Sequence, residues 1–109
     1  MATNGITQSF TGTGTGTFSP AAATFYKFRG TANLTIGGGG AGTIKLEKSY
    51  DDGATYFDVS LDSLGTVASW VIAAAGEMSV LIEEPELQTA YRCNCTAYTS
   101  GTITARLAQ

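Results

Sequence analysis

Hydrophobic and polar residues alternate along most of the chain after residue 25, which is the pattern of β-strands with one buried and one exposed face. The longest alternating run predicts a strand with its inward face formed by Tyr26, Phe28, Gly30, Ala32, Leu34 and Ile36. Shorter runs predict further inward-facing positions at Ile44 and Leu46, at Phe57, Val59 and Leu61, at Met78, Val80 and Ile82, at Tyr91, Cys93, Cys95 and Ala97, and at Ile103, Ala105 and Leu107.

Turn-forming residues separate these runs at short intervals. The GGGGAG segment at 37–42 predicts a turn, because glycine weakens a strand interior and readily adopts a positive φ. The TSG segment at 99–101 predicts a hairpin between the last two strands, and Pro85 predicts the end of the strand before it, since proline cannot donate to a ladder. The segment 63–76 permits a short helix, but we expect a strand or an irregular crossing there. The positions that fit a strand are Ala68, Trp70 and Ile72.

Short strands with frequent turns, and no convincing amphipathic helix, predict an all-β fold, an antiparallel β-sandwich. At 109 residues the chain is the size of one domain, which we assign to residues 25–109. Residues 1–24 differ, because their Gly-Thr alternation offers little to bury. We predict that they form an extended arm, with Phe10 and Phe18 filling pockets on a binding partner.

The charge and the start of the chain exclude several classes of function. The net charge is −3, and the six Lys and Arg residues are scattered, so we expect no nucleic-acid partner. No apolar stretch approaches the ~20 residues of a membrane helix, and the start has no signal-peptide pattern, so we expect a soluble protein that stays in the cell that makes it. The sequence contains no histidine, which excludes Ser-His-Asp and Cys-His catalysis. We expect no cofactor and no metal.

Cys93 and Cys95 are separated by one residue, so in a strand both thiols point to the same face. A disulfide between them would distort the pleat, and without histidine the pair supplies at most half a zinc site. We therefore predict two buried free thiols.

The segment SYDDGATY at 49–56 is either a tight turn or the acidic end of an active site. Asp51 with Glu83 or Glu84 would be a glycosidase-like carboxylate pair, but nothing in the sequence marks a cleft for a sugar. Glu83, Glu84 and Glu86 would offer calcium oxygen ligands together with Asp51 or Asp52, and here we favour a solvated acidic turn. The residues of the motif are Ser49, Asp51, Gly53, Thr55 and Tyr56.

This motif resembles the Asp-box of sialidase propeller blades, with Tyr in place of Trp. The resemblance implies a hairpin corner in which Asp51 accepts backbone N–H bonds, Gly53 takes a positive φ and Tyr56 packs beneath. The YRC segment, with Tyr91 two residues before Cys93, resembles the tyrosine corner of immunoglobulin-like sandwiches and implies such a topology.

Residues 43–109 resemble small virion proteins of tailed bacteriophages. The motifs that carry the resemblance are GTIKLEKSYDDGATYFDV, EEPE and AYRCNCTAYTSGTITARLAQ. The resemblance implies a non-enzymatic capsid decoration or cement protein, a homotrimer that binds the major capsid protein in a virion assembled in the host cytoplasm. The alternative is a carbohydrate- or receptor-binding module of a tail fibre or head fibre. Its candidate aromatic residues are Tyr50, Tyr56, Trp70 and Tyr98.

Overall fold

The computed structural model describes residues 5–60, 66–74 and 76–109, which contain strands and no helix. The described strands are β1 (Gly5–Phe10), β2 (Thr17–Ser19), β3 (Tyr26–Gly37), β4 (Ala41–Ser49), β5 (Phe57–Asp58), β6 (Ser69–Ile72), β7 (Met78–Ser100) and β8 (Ile103–Ala108). Every pair of neighbouring strands is antiparallel. The prediction of an all-β antiparallel fold is confirmed.

The strands form one hydrogen-bonded sheet in the order β2-β1-β8-β3-β7-β4-β5, with β6 beside β4. Because this path is continuous, the two separate sheets of a sandwich and the immunoglobulin-like topology are not confirmed. The sheet instead curls and encloses the core by bending.

Strand β7 provides the bend. Its 23 residues would extend about 76 Å if straight, at ~3.3 Å per residue, whereas the longest dimension of the molecule is 37 Å. It pairs with β3 from Met78 to Tyr91 and with β4 from Ala90 to Ser100. Residues 38–40 join the C-terminal end of β3 to the N-terminal end of β4. Because the first residues of β7 pair with that end of β3 and its last residues pair with that end of β4, both ends of β7 lie close to this loop. Strand β7 therefore passes from one side of the core to the other.

The strand end predicted at Pro85 is wrong. The ladder between β3 and β7 pairs Gly30 with Glu84 and then Phe28 with Thr89, so residues 85–88 have no counterpart there except Arg29. Pro85 is tolerated because its missing N–H lies where β7 leaves this ladder. We call residues 85–88 the β7 excursion.

The alternating runs identify most of the core correctly. The predicted inward-facing residues that are buried are Phe28, Ala32, Leu34, Ile36, Ile44, Leu46, Val59, Ile82, Tyr91, Cys93, Cys95, Ile103, Ala105 and Leu107. Both cysteines are free, as predicted. Gly30, Phe57 and Ala97 are exposed, contrary to prediction. For Phe57 the reason is that β5 has only two residues and does not sustain the alternation. Leu61 lies outside the described residues.

The interpretation of segment 63–76 is confirmed where the structure describes it. Residues 69–72 form β6, which pairs with β4, and Ala68 and Ile72 are buried. Residues 63–65 and 75 lie outside the described residues.

The prediction of an arm at residues 1–24 is wrong for β1 and β2. Strand β1 pairs with β8 along its whole length, from Gly5 opposite Ala108 to Phe10 opposite Ile103, and β2 pairs with β1. Ile6 and Phe10 belong to the core. The N-terminal strand is thus an integral part of the sheet.

The Gln8 side chain links β1 to other parts of the chain through hydrogen bonds. Its buried side-chain amide donates to the carbonyl oxygens of Thr15 and Cys93, both at 2.8 Å, and accepts the N–H of Cys93 at 2.7 Å. Gly14 exchanges two backbone hydrogen bonds with Cys95, at 2.9 and 2.8 Å. These bonds close the curled sheet across the gap between β1 and the second half of β7.

Candidate binding surface at the aromatic end

Three segments meet at one end of the molecule, which we call the aromatic end: residues 25–29, 45–58 and 83–92. Lys27 forms an ion pair with Asp52, and the Arg92 guanidinium lies 3.5 Å from the centre of the Tyr56 ring. This end carries twelve of the fifteen charged residues and seven of the ten tyrosines and phenylalanines. These aromatic residues are Phe25, Tyr26, Phe28, Tyr50, Tyr56, Phe57 and Tyr91.

The turn at 49–56 has the hydrogen bonds predicted from the Asp-box resemblance. The Asp51 carboxylate accepts the N–H of Thr55 at 2.8 Å and the hydroxyl of Ser49 at 2.7 Å. The Ser49 hydroxyl in turn accepts the N–H of Gly53 at 2.9 Å. The hydrogen bond from Ser49, followed by that from Thr55, lowers the pKa of the Asp51 carboxyl. Asp51 is therefore a structural residue of the turn.

Backbone geometry and aromatic packing complete this turn. Asp52 and Gly53 have φ values of 59° and 88°, in the left-handed region that glycine and aspartate tolerate best. A Cβ on Gly53 would lie 3.1 Å from the Phe25 ring and 3.2 Å from the Tyr56 hydroxyl oxygen, so the absence of a side chain lets the rings close over the turn. The predicted role of Gly53 is confirmed, and Tyr56 is half-buried beneath the turn.

A network of charged side chains on the neighbouring strands lies beside the turn. The Glu47 carboxylate accepts a hydrogen bond from Arg92 Nε at 3.0 Å and lies 3.5 Å from Lys45 Nζ. Lys45 also pairs with Asp58 at 2.9 Å. The hydrogen bond with Asp58 is the largest cause of the raised pKa of the Lys45 ammonium group. This network of charged side chains links β4, β5 and β7 beside Tyr56.

A buried carboxylate organises the other side of the aromatic end. Glu84 is 3% exposed and accepts the Tyr91 hydroxyl at 2.7 Å and the N–H of Glu86 at 3.0 Å. Lys48 Nζ lies 3.7 Å from the same carboxylate. Burial, followed by the hydrogen bond to Glu84, raises the pKa of the Tyr91 hydroxyl. The tyrosine-corner interpretation is wrong, because Tyr91 donates to a side-chain carboxylate and not to upstream backbone.

Three large apolar side chains project from this framework into solvent. Tyr50 is 51% exposed, Phe57 53% and Leu87 63%. The Tyr50 and Phe57 rings lie side by side, with their centres 6.3 Å apart. Exposed apolar groups that lie together are typical of binding surfaces.

Tyr50 and Tyr56, two of the sequence-predicted binding residues, lie at the aromatic end, and the other predicted binding residues lie elsewhere. Phe10 is completely buried in the core of its own chain, so its prediction as a partner anchor is wrong. Phe18, Trp70 and Tyr98 are partly buried and pack against the same core. The alternation predicted Phe57 to face the core and gave no prediction for Leu87, because Phe57 lies in a two-residue strand and Leu87 in an irregular part of β7.

Two of the acidic residues considered for chemistry, Asp51 and Glu84, are engaged in structural bonds. Asp51 serves the turn, and Glu84 serves Tyr91 and the β7 excursion. Across residues 5–60, 66–74 and 76–109, no three His, Cys, Asp or Glu side chains are grouped as metal ligands. Burial raises the pKa of the Cys93 thiol to about 12, so this thiol stays protonated at neutral pH.

Within the part of the chain that the structure describes, there is no helix with the length and apolar character needed to cross a membrane. No family model, curated protein or solved structure matches the chain.

Proposed function

We propose that the chain is a non-enzymatic structural protein of a bacteriophage virion, a capsid decoration or cement protein that binds the major capsid protein through the aromatic end. The observation that carries the proposal is the exposure of Tyr50, Phe57 and Leu87 on an otherwise rigid framework. The cost of ordering these side chains on binding is low, because the turn and the Glu84 network already hold the backbone beneath them. The resemblance of residues 43–109 to small virion proteins supplies the partner.

In this proposal the protein is a homotrimer in a virion assembled in the host cytoplasm, since decoration proteins of this kind often occupy local three-fold axes. Neither nucleic acid nor a membrane has a part in the attachment. Native mass spectrometry of the free protein and of protein released from capsids tests the subunit count. Monomers from both sources would contradict the trimer and leave the attachment itself standing.

The attachment is tested by sedimenting the purified protein with capsids assembled from the major capsid protein encoded in the same genome. We expect saturable co-sedimentation, and a strong loss of it in a Tyr50→Ser/Phe57→Ser variant. The matched control is Val71→Ser, which removes an 84% exposed apolar side chain on β6, away from the aromatic end. A wild-type protein that stays in the supernatant at all concentrations overturns the proposal.

The adjacent rings of Tyr50 and Phe57 favour a second candidate, a carbohydrate- or receptor-binding module. Exposed aromatic rings can stack on sugar rings, and Lys48 Nζ, 5.4 Å from the centre of the Tyr50 ring, offers a hydrogen-bond donor beside them. A glycan array distinguishes the two candidates. Binding to glycans that is lost in Tyr50→Ser, without co-sedimentation with capsids, would establish the second candidate in place of the first.

A further inference from the structure

The β7 excursion, residues 85–88, has features that the curled sheet does not require. One residue of β3, Arg29, lies opposite four residues of β7, so the excursion is larger than the single extra residue of an ordinary bulge. Leu87 in this excursion is 63% exposed and contributes little to the core. A large apolar side chain displayed on a protruding segment is costly to leave in water.

The excursion is also fixed in shape. The Glu84 carboxylate accepts the N–H of Glu86 at 3.0 Å, and the Thr89 hydroxyl donates to the carbonyl oxygen of Glu86 at 3.3 Å. Glu84 is itself held by the Tyr91 hydroxyl and by Lys48. A buried carboxylate at the base and a hydroxyl at the far end thus brace the backbone on both sides of Leu87.

Two carboxylates of this region are unpaired. Glu83 and Glu86 are both exposed, and neither has an ion-pair partner among the described residues, although Lys48 lies at the base of the excursion and Arg29 opposite it. The other described carboxylates of the aromatic end, apart from Asp51 in its turn, are paired with Lys or Arg. Glu83 and Glu86 are therefore available to pair with a partner's cations.

We propose that the β7 excursion is the recognition element of the attachment surface, and that Leu87 enters an apolar pocket of the partner protein whose rim carries Lys or Arg. The proposal rests on the proposed function and adds the chemistry of the partner to it. A buried Leu87 would be the anchor, and Glu83 and Glu86 would form ion pairs at the rim, which contribute more to orientation and association rate than to affinity. An aliphatic anchor favours a protein pocket over a glycan, since it has no ring on which a sugar could stack.

The test compares Leu87→Ser with Leu81→Ser in the capsid sedimentation assay. Leu81 is the matched control, because it is 66% exposed on the same strand but lies in the regular ladder opposite Asn33. We expect Leu87→Ser to weaken binding about tenfold or more, the range of an interface anchor, and Leu81→Ser to bind as the wild type does. Both variants should keep the wild-type melting temperature, which shows that folding is not the cause.

The proposed ion pairs with the partner are tested with the double variant Glu83→Gln/Glu86→Gln. The control is Glu77→Gln, which removes an exposed carboxylate elsewhere on the molecule. Added salt should weaken wild-type binding more than binding of the double variant, because the screened ion pairs are already absent from the latter.

Four outcomes decide the proposal. Wild-type binding with a selective loss in Leu87→Ser supports it. Wild-type binding that Leu87→Ser leaves unchanged, or that both serine variants weaken equally, overturns the recognition element while the proposed function stands. Equal salt dependence of the wild type and the double Gln variant overturns the basic rim. Absence of wild-type binding overturns the proposed function and the recognition element together.

Discussion

The aromatic end and the opposite end of the molecule both turn strands back into the sheet, but they use different residues. We call the opposite end the glycine end: residues 37–42, 76–78 and 100–104. Here Gly38, Gly39 and Gly101 have φ values between 70° and 96°, and backbone segments pack so closely that a Cβ on Gly40 would lie 2.5 Å from the carbonyl carbon of Thr102. At the aromatic end, the Asp51 and Glu84 carboxylates hold the turns instead, by accepting backbone N–H hydrogen bonds.

The two ends differ in whether their turns depend on specific side chains. Glycine turns need only backbone freedom and close approach, and they leave little side-chain surface for a partner to recognise. Side-chain-braced turns keep large residues such as Tyr50 and Leu87 in fixed exposed positions. The difference is what directs the proposed binding to the aromatic end.

The largest effect is expected from Glu84→Ala, which removes the brace of the aromatic end. The Tyr91 hydroxyl and the Glu86 N–H would lose their acceptor, one of them in the buried core, at a cost of about 3 kcal/mol in the free energy of unfolding. Urea denaturation measures this change. Glu83→Ala, at the adjacent exposed position, should change stability by less than about 0.5 kcal/mol. Equal losses in the two variants would show that Glu84 is not a brace.

Gly40→Ala should have the next largest effect and tests the glycine end. Its new Cβ would meet the carbonyl carbon of Thr102 at 2.5 Å and the nitrogen of Ile103 at 2.7 Å, and these backbone atoms cannot rotate away. We expect a loss of about 2 kcal/mol, as for other overpacked sites. Gly12→Ala is the control, since nothing lies within 4 Å of a Cβ there. A Gly40→Ala variant as stable as Gly12→Ala would contradict the close approach.

Tyr91→Phe removes one hydrogen bond to the Glu84 carboxylate and should cost about 1.5 kcal/mol at neutral pH. The pKa of Tyr91 is raised in the folded state, so its contribution is complete below the unfolded value of about 10 and is lost as the pH rises above it. The stability gap between wild type and Tyr91→Phe should therefore narrow in alkaline solution. Tyr26→Phe is the control, because Tyr26 is half-buried and its hydroxyl forms no hydrogen bond with the described residues.

Asp51→Asn should have the smallest effect, because the turn is exposed. The pKa of Asp51 is lowered in the folded state, so the carboxylate stabilises the fold above its unfolded value of about 3.9 and stops doing so as the pH falls through the lower folded value. The difference in melting temperature between wild type and variant should thus shrink in acid. Asp52→Asn, which leaves the N–H bonds of the turn in place, is the comparison. A difference that is independent of pH would contradict the role of the charge.

Most of strand β3 could be predicted, because residues 31–37 alternate between core and solvent, whereas Gly30, predicted to face inward, is exposed where the register with β7 shifts. The turn at 49–56 was equally accessible, since its bonds link residues at most four positions apart. In both cases the interactions that decide the structure are local or periodic.

Gln8 and Leu87 could not be predicted in this way. Ile6, Gln8 and Phe10 do alternate, but the polar middle residue concealed the strand, and its partner Cys93 is 85 positions away. The exposure of Leu87 depends on the loss of register opposite Arg29, which the sequence signals only as a proline. The candidate surface therefore depends on the pairing of strands that are distant in the sequence, and it could not be predicted from local patterns.

The pairing of β1 with β8 has a consequence for how the protein folds during synthesis. Strand β1 pairs along its whole length with β8, which comes much later in the sequence, and until β8 is synthesised the described strand beside β1 is the three-residue β2. A two-stranded hairpin of this size is marginal alone in water. The nascent chain therefore carries an unpaired strand edge, with Ile6 and Phe10 uncovered, until β8 has left the ribosome. Such a dependence on contacts between distant parts of the sequence makes folding slow and exposes intermediates to misassociation, so the yield of soluble protein should be sensitive to temperature and crowding in the producing cell.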